Sequence, residues 1–419
     1  MKTNSEVEKL PDDFFRQESG RLVTMLTCRY GLHRLQFAED VAQETLVRAL
    51  QTWPYRGVPD NPSAWLSRTA KNLAIDQLRR ENRWREKETD VAHELDRWHS
   101  VIGSEEMQET FADDTLRMLF VCFHPQLSSE AQTALALKTL CGMSPAEIAA
   151  PFLTTEAAIS KRLVRARRRI RDLNLPFAVP DVSELPTRLD GVLGTLYLLF
   201  NEGYKSSSGD QLVRADLCQE AIRLTRLLAS HSATDQPQTQ ALLALMYLNA
   251  ARLGSRTDEA GNLLRLHEQD RSSWNQGMIQ NGIAFLAKSG RGEVVSRYHL
   301  EAGIAACHCT AIDDSSTDWQ RVLNLYDQLV RLTNSPLVKL NRAVALARLH
   351  GPHAGLDAIA HLPLNSYYLL HAIRGYFKSQ LGCNSEASNH FREAELLAPS
   401  EAERSFLQRQ IADCEKAGE

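Results

Sequence analysis

Between Ser63 and Arg85 the chain carries Arg68, Lys71, Arg79, Arg80, Arg83 and Arg85 against only Asp76 and Glu81. At helical spacing these cations can follow a phosphate backbone, while the interspersed Asn72, Gln77 and Trp84 can contact or stack on bases. That chemistry is recognition, without bond-making. A second array, Ser160, Lys161, Arg162, Arg165, Arg167, Arg168, Arg169 and Arg171, has no acid between 157 and 171. Bond-making candidates are few. Residues 1 to 180 hold no phosphate loop, catalytic dyad or metal triad, and the rest of the chain pairs no nucleophile with a base at usable spacing, so no enzyme is expected. Cys307-His308-Cys309 lacks a second ligand pair, which points to buried or idle thiols and to no metal or cofactor.

These arrays need elements to hold them. Trp65, Leu66, Leu73, Ile75 and Leu78 form the apolar stripe expected for a helix that starts at Asn61-Pro62-Ser63. Upstream, residues 14 to 53 read as two helices parted near Gly31 to Phe37. Asp40 is placed to cap the second, Val41, Ala42, Thr45, Leu46, Ala49 and Leu50 form its core face, and Pro54 ends it. The following loop, TWPYRGVPDNPS, presents Trp53, Tyr55 and Arg56. Residues 144 to 171 have the proportions of a helix-turn-helix: a first helix capped by Ser144, a break at Leu153-Thr154-Thr155, and a basic helix from Glu156. Pro151 should shorten or kink the first helix, and Leu153 stands where glycine often relieves a turn.

Composition agrees with several soluble domains. At 419 residues and 43% hydrophobic content, the chain can build more than one core. The net charge of −4 would argue against nucleic acid if it were evenly spread. It is segregated instead, because ten acids between Glu86 and Asp114 separate the two basic arrays, and local fields govern binding. Eight scattered cysteines fit a reducing cytoplasm. The start has no apolar signal-type core, and apolar runs such as residues 194 to 200 are far below the roughly 20 residues a spanning helix needs.

The two basic units, in this order and spacing, resemble the extracytoplasmic-function sigma factors of the sigma-70 family. The resemblance covers about residues 14 to 175 and implies an all-α fold: two small helical sigma domains, the second a helix-turn-helix, followed by a helical-repeat C-terminal domain. It implies sigma region 2 at 10–87, an acidic linker at 88–112, region 4 at 113–176 and a regulatory extension at 187–419. It also implies that Asp40, Gln43 and Glu44 meet the clamp of the largest subunit of core RNA polymerase. The −10 promoter region would be held by Trp53, Tyr55, Arg68, Lys71, Asn72, Arg79 and Arg80. The −35 element would be read by Ser160, Lys161, Arg162, Arg165, Arg168 and Arg169. The alternative is a one-component regulator that binds duplex DNA through the helix-turn-helix and a ligand or peptide through its tail. A simple regulator does not need the 40 to 85 block.

The tail reads as paired helices near 212–231, 236–253, 257–268, 273–289, 292–307, 318–332, 336–350, 353–361, 366–382, 384–397 and 401–416. Gly375, Ala387, Phe391, Ala394 and Pro399 have tetratricopeptide-like spacing, and Ala241 to His267 resembles a degenerate copy. A repeat solenoid and a generic helical bundle both fit. The extension resembles that of sigma factors with long tetratricopeptide-like tails, which implies intramolecular contact with the sigma domains. Asn201, Glu202, Gly203 and Tyr204 form either a regulatory interface or a helix stop with a left-handed glycine. Prolines at 176, 180 and 186 suggest a short, stiff junction.

Overall fold

The computed structural model describes residues 14–85, 113–149, 152, 154–175, 180–206, 213–258 and 263–417. The acidic linker, Pro151 and Leu153 lie outside the described residues. Among the described residues the secondary structure is helical, with one isolated bridge between Thr257 and Leu263. The chain forms two compact units that divide at Leu199 and Phe200.

The first unit begins with α1 (Phe14–Tyr30), a 3₁₀ turn at Leu32–Arg34, α2 (Leu35–Arg56) and α3 (Pro62–Arg85). Leu22, Leu26, Ala38, Val41, Ala42, Ala49, Leu66, Ala70 and Leu73 are buried where these helices meet. Asp40 does not cap α2, which starts five residues earlier with no side-chain cap. Pro54 does not end it either; α2 runs on to Arg56, and Gly57, at φ 83°, makes the reversal that L side chains resist. Asn61 then caps α3 by accepting a 3.0 Å hydrogen bond from the Ala64 N–H. Two expected core residues, Leu50 and Ile75, are exposed. Ile75 lies about 200° of helical rotation from Leu73, so the two cannot share a face.

The same unit continues with α4 (Asp114–Cys122), α5 (Ser129–Thr139), α6 (Pro145–Ala149) and α7 (Glu156–Asp172). The helix-turn-helix is bounded as its caps dictate. Ser144 and Glu147 form a capping box at α6, and Thr155 accepts from the Ala158 N–H at α7. Ile148, Ile159, Leu163, Ala166 and Ile170 supply its buried face. Helix α8 (Leu185–Tyr204) starts inside this unit, where the Arg188 guanidinium donates to the Phe120 carbonyl. A methyl at Gly191 would overlap the Phe123 ring. The helical packing of the first unit therefore reaches past the expected 176/187 junction.

The second unit contains α9 (Ala215–Ser230), α10 (Pro237–Ala250), α11 (Gln276–Ser289), α12 (Arg297–Thr310), α13 (Trp319–Thr333) and α14 (Pro336–His350). It closes with α15 (Pro352–Ile359), α16 (Tyr368–Gln380), α17 (Asn384–Leu397) and α18 (Glu401–Lys416). Packing is mostly between neighbours in sequence, as in a helical repeat. Gly375 shows why the small residues are needed: a methyl there would stand 2.9 Å from the Phe391 ring and 3.1 Å from the Ala387 carbonyl. The expected helix at 257–268 is absent over its described part, which holds the Thr257–Leu263 bridge and a 3₁₀ turn at Leu266–Glu268. Ala241–His267 is therefore no second helical pair; α10 packs on α11 and α12.

Candidate nucleic-acid interface

Helix α3 buries Leu66, Ala70, Leu73 and Ala74 and leaves Arg68, Lys71, Asn72, Arg79 and Arg80 exposed. One face packs and the other is a cationic, amide-bearing track. Gln77 is occupied, since its amide donates to the Glu44 carboxylate at 2.9 Å. Glu44 also pairs with Arg48 at 2.8 Å, so it clasps α2 to α3 while Asp40 and Gln43 stay exposed. Val47 and Leu50 are exposed as well, 45% and 51%, on positions that continue the Asp40–Gln43 face. These two apolar side chains therefore stand in water along one helical stripe, whereas the sequence pattern places Leu50 in the core.

Trp53 is corrected. It is 1% exposed, packed against Phe14, Phe15 and Trp65 with ring centroids 5.5 to 6.2 Å away. Because α2 continues through Pro54, Trp53 sits one turn beyond buried Ala49 and faces inward, so it cannot take up a displaced base. Tyr55, two residues on, is 83% exposed. An exposed ring beside a cationic helix can stack on an unpaired base.

On α7, Lys161, Arg165, Arg168 and Arg169 are exposed and Ser160 is half-buried. An open cleft of about 630 Å³ lies between α7 and the start of α5, lined by Lys161, Arg162, Arg165 and Arg169. Arg162 is half-buried, paired with Glu130 at 2.6 Å and laid over the Phe152 ring. Arg168 pairs with Asp172 in solvent, and Arg169 reaches Gln126 at 3.4 Å.

Arg167 lies apart from these and ties the helix-turn-helix to the α1–α3 domain. Its Nε and Nη2 meet the two Glu39 oxygens at 2.9 and 3.0 Å, and Thr139 donates to the same carboxylate at 3.3 Å. A methyl on Gly20 of α1 would come within 2.4 Å of the Leu140 carbonyl oxygen, so the backbones also pack closely. Sequence reading counted Arg167 only as one more cation.

In the second unit the Asn201–Tyr204 segment is structural. Glu202 and Gly203 are buried, which removes them from any exposed interface; Asn201 is exposed and Tyr204 half-buried. Gly203 is helical and takes no left-handed cap. A methyl on it would meet the Cys218 N and Arg214 O atoms at 2.7 and 2.8 Å, so glycine is needed for α8 to seat on α9. Tyr204 lies under the Arg256 guanidinium at 4.0 Å. Lys205 reaches Glu403 of α18 at 2.8 Å and the Tyr368 hydroxyl at 2.7 Å, while Tyr368 itself donates to Glu403. The segment thereby ties the first turn of the unit to its last helix.

The Cys307-His308-Cys309 group is divided among separate environments. Cys307 is buried, Cys309 donates to the Leu248 carbonyl at 3.4 Å, and His308 stands edge-on to Trp319. Burial pushes the Cys309 thiol up to about 11. Among the described residues, the group whose ligand atoms come close enough to share an ion is His371, His390 and Glu393. It has ordinary partners: Glu393 pairs with His371 at 2.7 Å, whose other ring nitrogen contacts the Asn365 carbonyl. No described helix is long and apolar enough to cross a membrane.

Comparison with known families matches residues 15–84 to Sigma-70 region 2 and residues 117–170 to Sigma-70 region 4. Residues 188–290 match a family of unknown function, DUF6596. An uncharacterized protein of Rhizobium meliloti is 38% identical over 384 residues, 90% of each chain. The ECF RNA polymerase sigma factor SigL of Mycobacterium tuberculosis is 32% identical over 143 residues, 32% of this chain and 72% of the relative. No solved structure matches the chain. Because that similarity spans most of a sigma factor and the two region matches fall on the α1–α3 domain and the helix-turn-helix, the chain belongs to the extracytoplasmic-function sigma factors, which bind core RNA polymerase and promoter DNA to initiate transcription.

Proposed function

We propose that the chain acts in the cytoplasm as a sigma factor that docks on the polymerase clamp through α2, holds the −10 region with α3 and Tyr55, and reads the −35 element with α7. The observation that carries this reading is a pair of helices, each in its own small domain, whose solvent faces are cationic: Arg68, Lys71 and Arg80 on α3, Lys161, Arg165 and Arg168 on α7. Docking through Asp40 and Gln43 is supported by the exposed Val47 and Leu50 on the same stripe, which give a partner an apolar centre inside a polar rim. Charge reversal at Asp40 with Leu50→Ser should abolish co-purification with core polymerase and leave the circular dichroism spectrum unchanged.

The decisive experiment is transcription in vitro with core polymerase and a library of upstream regions. Promoter-specific initiation is expected. A one-component regulator would bind duplex DNA and start no transcript with core polymerase alone.

The extension is the regulatory part of the same proposal. Covalent tethering holds it at high effective concentration beside the sigma domains, so a weak contact with them would suffice. The truncation that tests this ends at Leu199, because residues up to that point belong to the first compact unit. Equal promoter-directed transcription by the truncated and full chains would make the extension a passenger.

A further inference from the structure

The second unit contains a cavity of about 360 Å³ that neither DNA reading nor polymerase docking uses. Its volume falls in the range of small-molecule sites, and its wall is mostly apolar, with Val344, Ala372 and Ile373 beside the rings of Trp319, Tyr376 and Phe406. Flat aromatic walls favour a flat apolar guest.

Two cations are fixed in that wall. Arg348 lies over the Trp319 ring at 5.2 Å, and Arg265 lies over Tyr376 at 5.4 Å and Phe406 at 5.7 Å. Stacked guanidiniums are already ordered, so little freedom is lost when an anion arrives. The carboxylates nearby are each already matched, and Arg265 itself pairs with Glu268 at 2.6 Å. Asp314 stands between Arg348 at 3.1 Å and Arg271 at 3.5 Å, and Glu403 is held by Lys205 at 2.8 Å. Burial would raise the Glu403 carboxyl, but Lys205 and the Tyr368 and Ser400 hydroxyls outweigh it and leave it below its usual range. His308, also in the wall, is pushed down to about 3 by burial and then by Arg252, Arg271 and Arg348. Four cations, Arg265, Arg348, Arg271 and Lys205, thus face three carboxylates, Glu268, Asp314 and Glu403, which leaves one positive charge in excess around an apolar, aromatic space.

We propose that this cavity binds a small organic anion, an aromatic body bearing one carboxylate, with the ring between the aromatic walls and the carboxylate toward Arg348 and Arg265. Charge complementarity selects the anion, and a volume of about 360 Å³ suits a small molecule better than an extended peptide. The site would make the extension a receptor for a metabolite, independent of how the sigma domains read DNA.

The test uses the full chain with 2-naphthoate as probe and uncharged 2-naphthamide as comparator, followed by calorimetry. One naphthoate per chain is expected, with Kd below about 1 mM and the amide at least ten-fold weaker. Val344→Trp, which fills the cavity, should abolish both. Arg348→Gln should reduce the preference for the anion to less than about three-fold, and it decides the matter alone if Val344→Trp does not fold. Absence of naphthoate binding at 1 mM overturns the proposal. So does equal affinity for the amide, wild-type affinity in a folded Val344→Trp variant, or an undiminished anion preference in Arg348→Gln.

Discussion

Glu39→Gln should make this protein bind its promoter more tightly. The −10 and −35 elements lie about 25 base pairs apart, roughly 85 Å along duplex DNA. While Arg167 is bonded to Glu39, six helical residues separate it from Lys161 and sixteen separate Glu39 from Tyr55, so the two proposed reading positions stay within about 50 Å. If those positions read the two elements, the bridged form cannot engage both, and binding requires the bridge to open. The 28 residues between α3 and α4 can reach about 90 Å when extended, so the chain permits it. The bridge combines one hydrogen bond from Nη2 with a second close N···O contact from Nε, and both side chains are 20% exposed, which places its worth between a surface pair and a buried charged hydrogen bond, about 1 to 2 kcal/mol. Losing it shifts the open-to-closed ratio by about 5- to 30-fold. The assay is fluorescence anisotropy of a promoter duplex at saturating core polymerase, with core binding measured separately. Glu39→Gln should raise apparent affinity by up to that factor. Glu39→Arg combined with Arg167→Glu should restore wild-type behaviour by re-forming the pair with its charges exchanged. Unchanged or weaker promoter binding by Glu39→Gln would refute the argument, because breaking the bridge would then not favour the DNA-competent form.

Three further outcomes are expected. Lys161→Ala or Arg165→Ala should each cost about 1 to 3 kcal/mol on the cognate −35 sequence if the side chain meets a base edge, whereas Arg168→Ala should weaken all sequences alike and flatten the salt dependence; duplex binding from 50 to 200 mM salt separates these. Gly203→Ala should destabilise the second unit by about 1 to 3 kcal/mol, seen as a lower thermal midpoint, since its methyl would strike backbone atoms that cannot swing aside. His308 has a folded-state pKa depressed to about 3, so the unfolded chain takes up the proton first as pH falls. Its stabilising contribution is complete above about pH 6.5 and is lost toward pH 3 at no more than about 1.4 kcal/mol per pH unit. His308→Gln should flatten that part of the acid limb in urea unfolding.

Local signals were read well because local forces decide them. Ser144 with Glu147, Thr155 and Asn61 cap helices through bonds three residues long, so the helix-turn-helix and the start of α3 follow from adjacent side chains. The same locality misled at Trp53. Proline is a helix stop in isolation, but Pro54 lies in the last turn of α2, and aromatic packing with Phe14, Phe15 and Trp65 carries the helix past it. Gly203 was open to a left-handed reading because glycine permits that conformation, whereas here its missing side chain admits another helix.

The sequence by itself determined the helical class and the two basic faces and their order, through which the chain resembles its family. Those depend on periodicity, caps and charge type within a few turns. Only the tertiary structure decided which cations are free. Arg167 is bound by Glu39 128 residues away, Arg162 by Glu130, and Lys205 by Glu403 at the far end of the second unit. The aromatic, arginine-lined cavity likewise gathers Arg265, Trp319, Arg348 and Phe406 from separate elements. No pattern along the chain encodes such meetings, because an ion pair or a cavity wall depends on distance in space, and that distance is set by how whole helices pack.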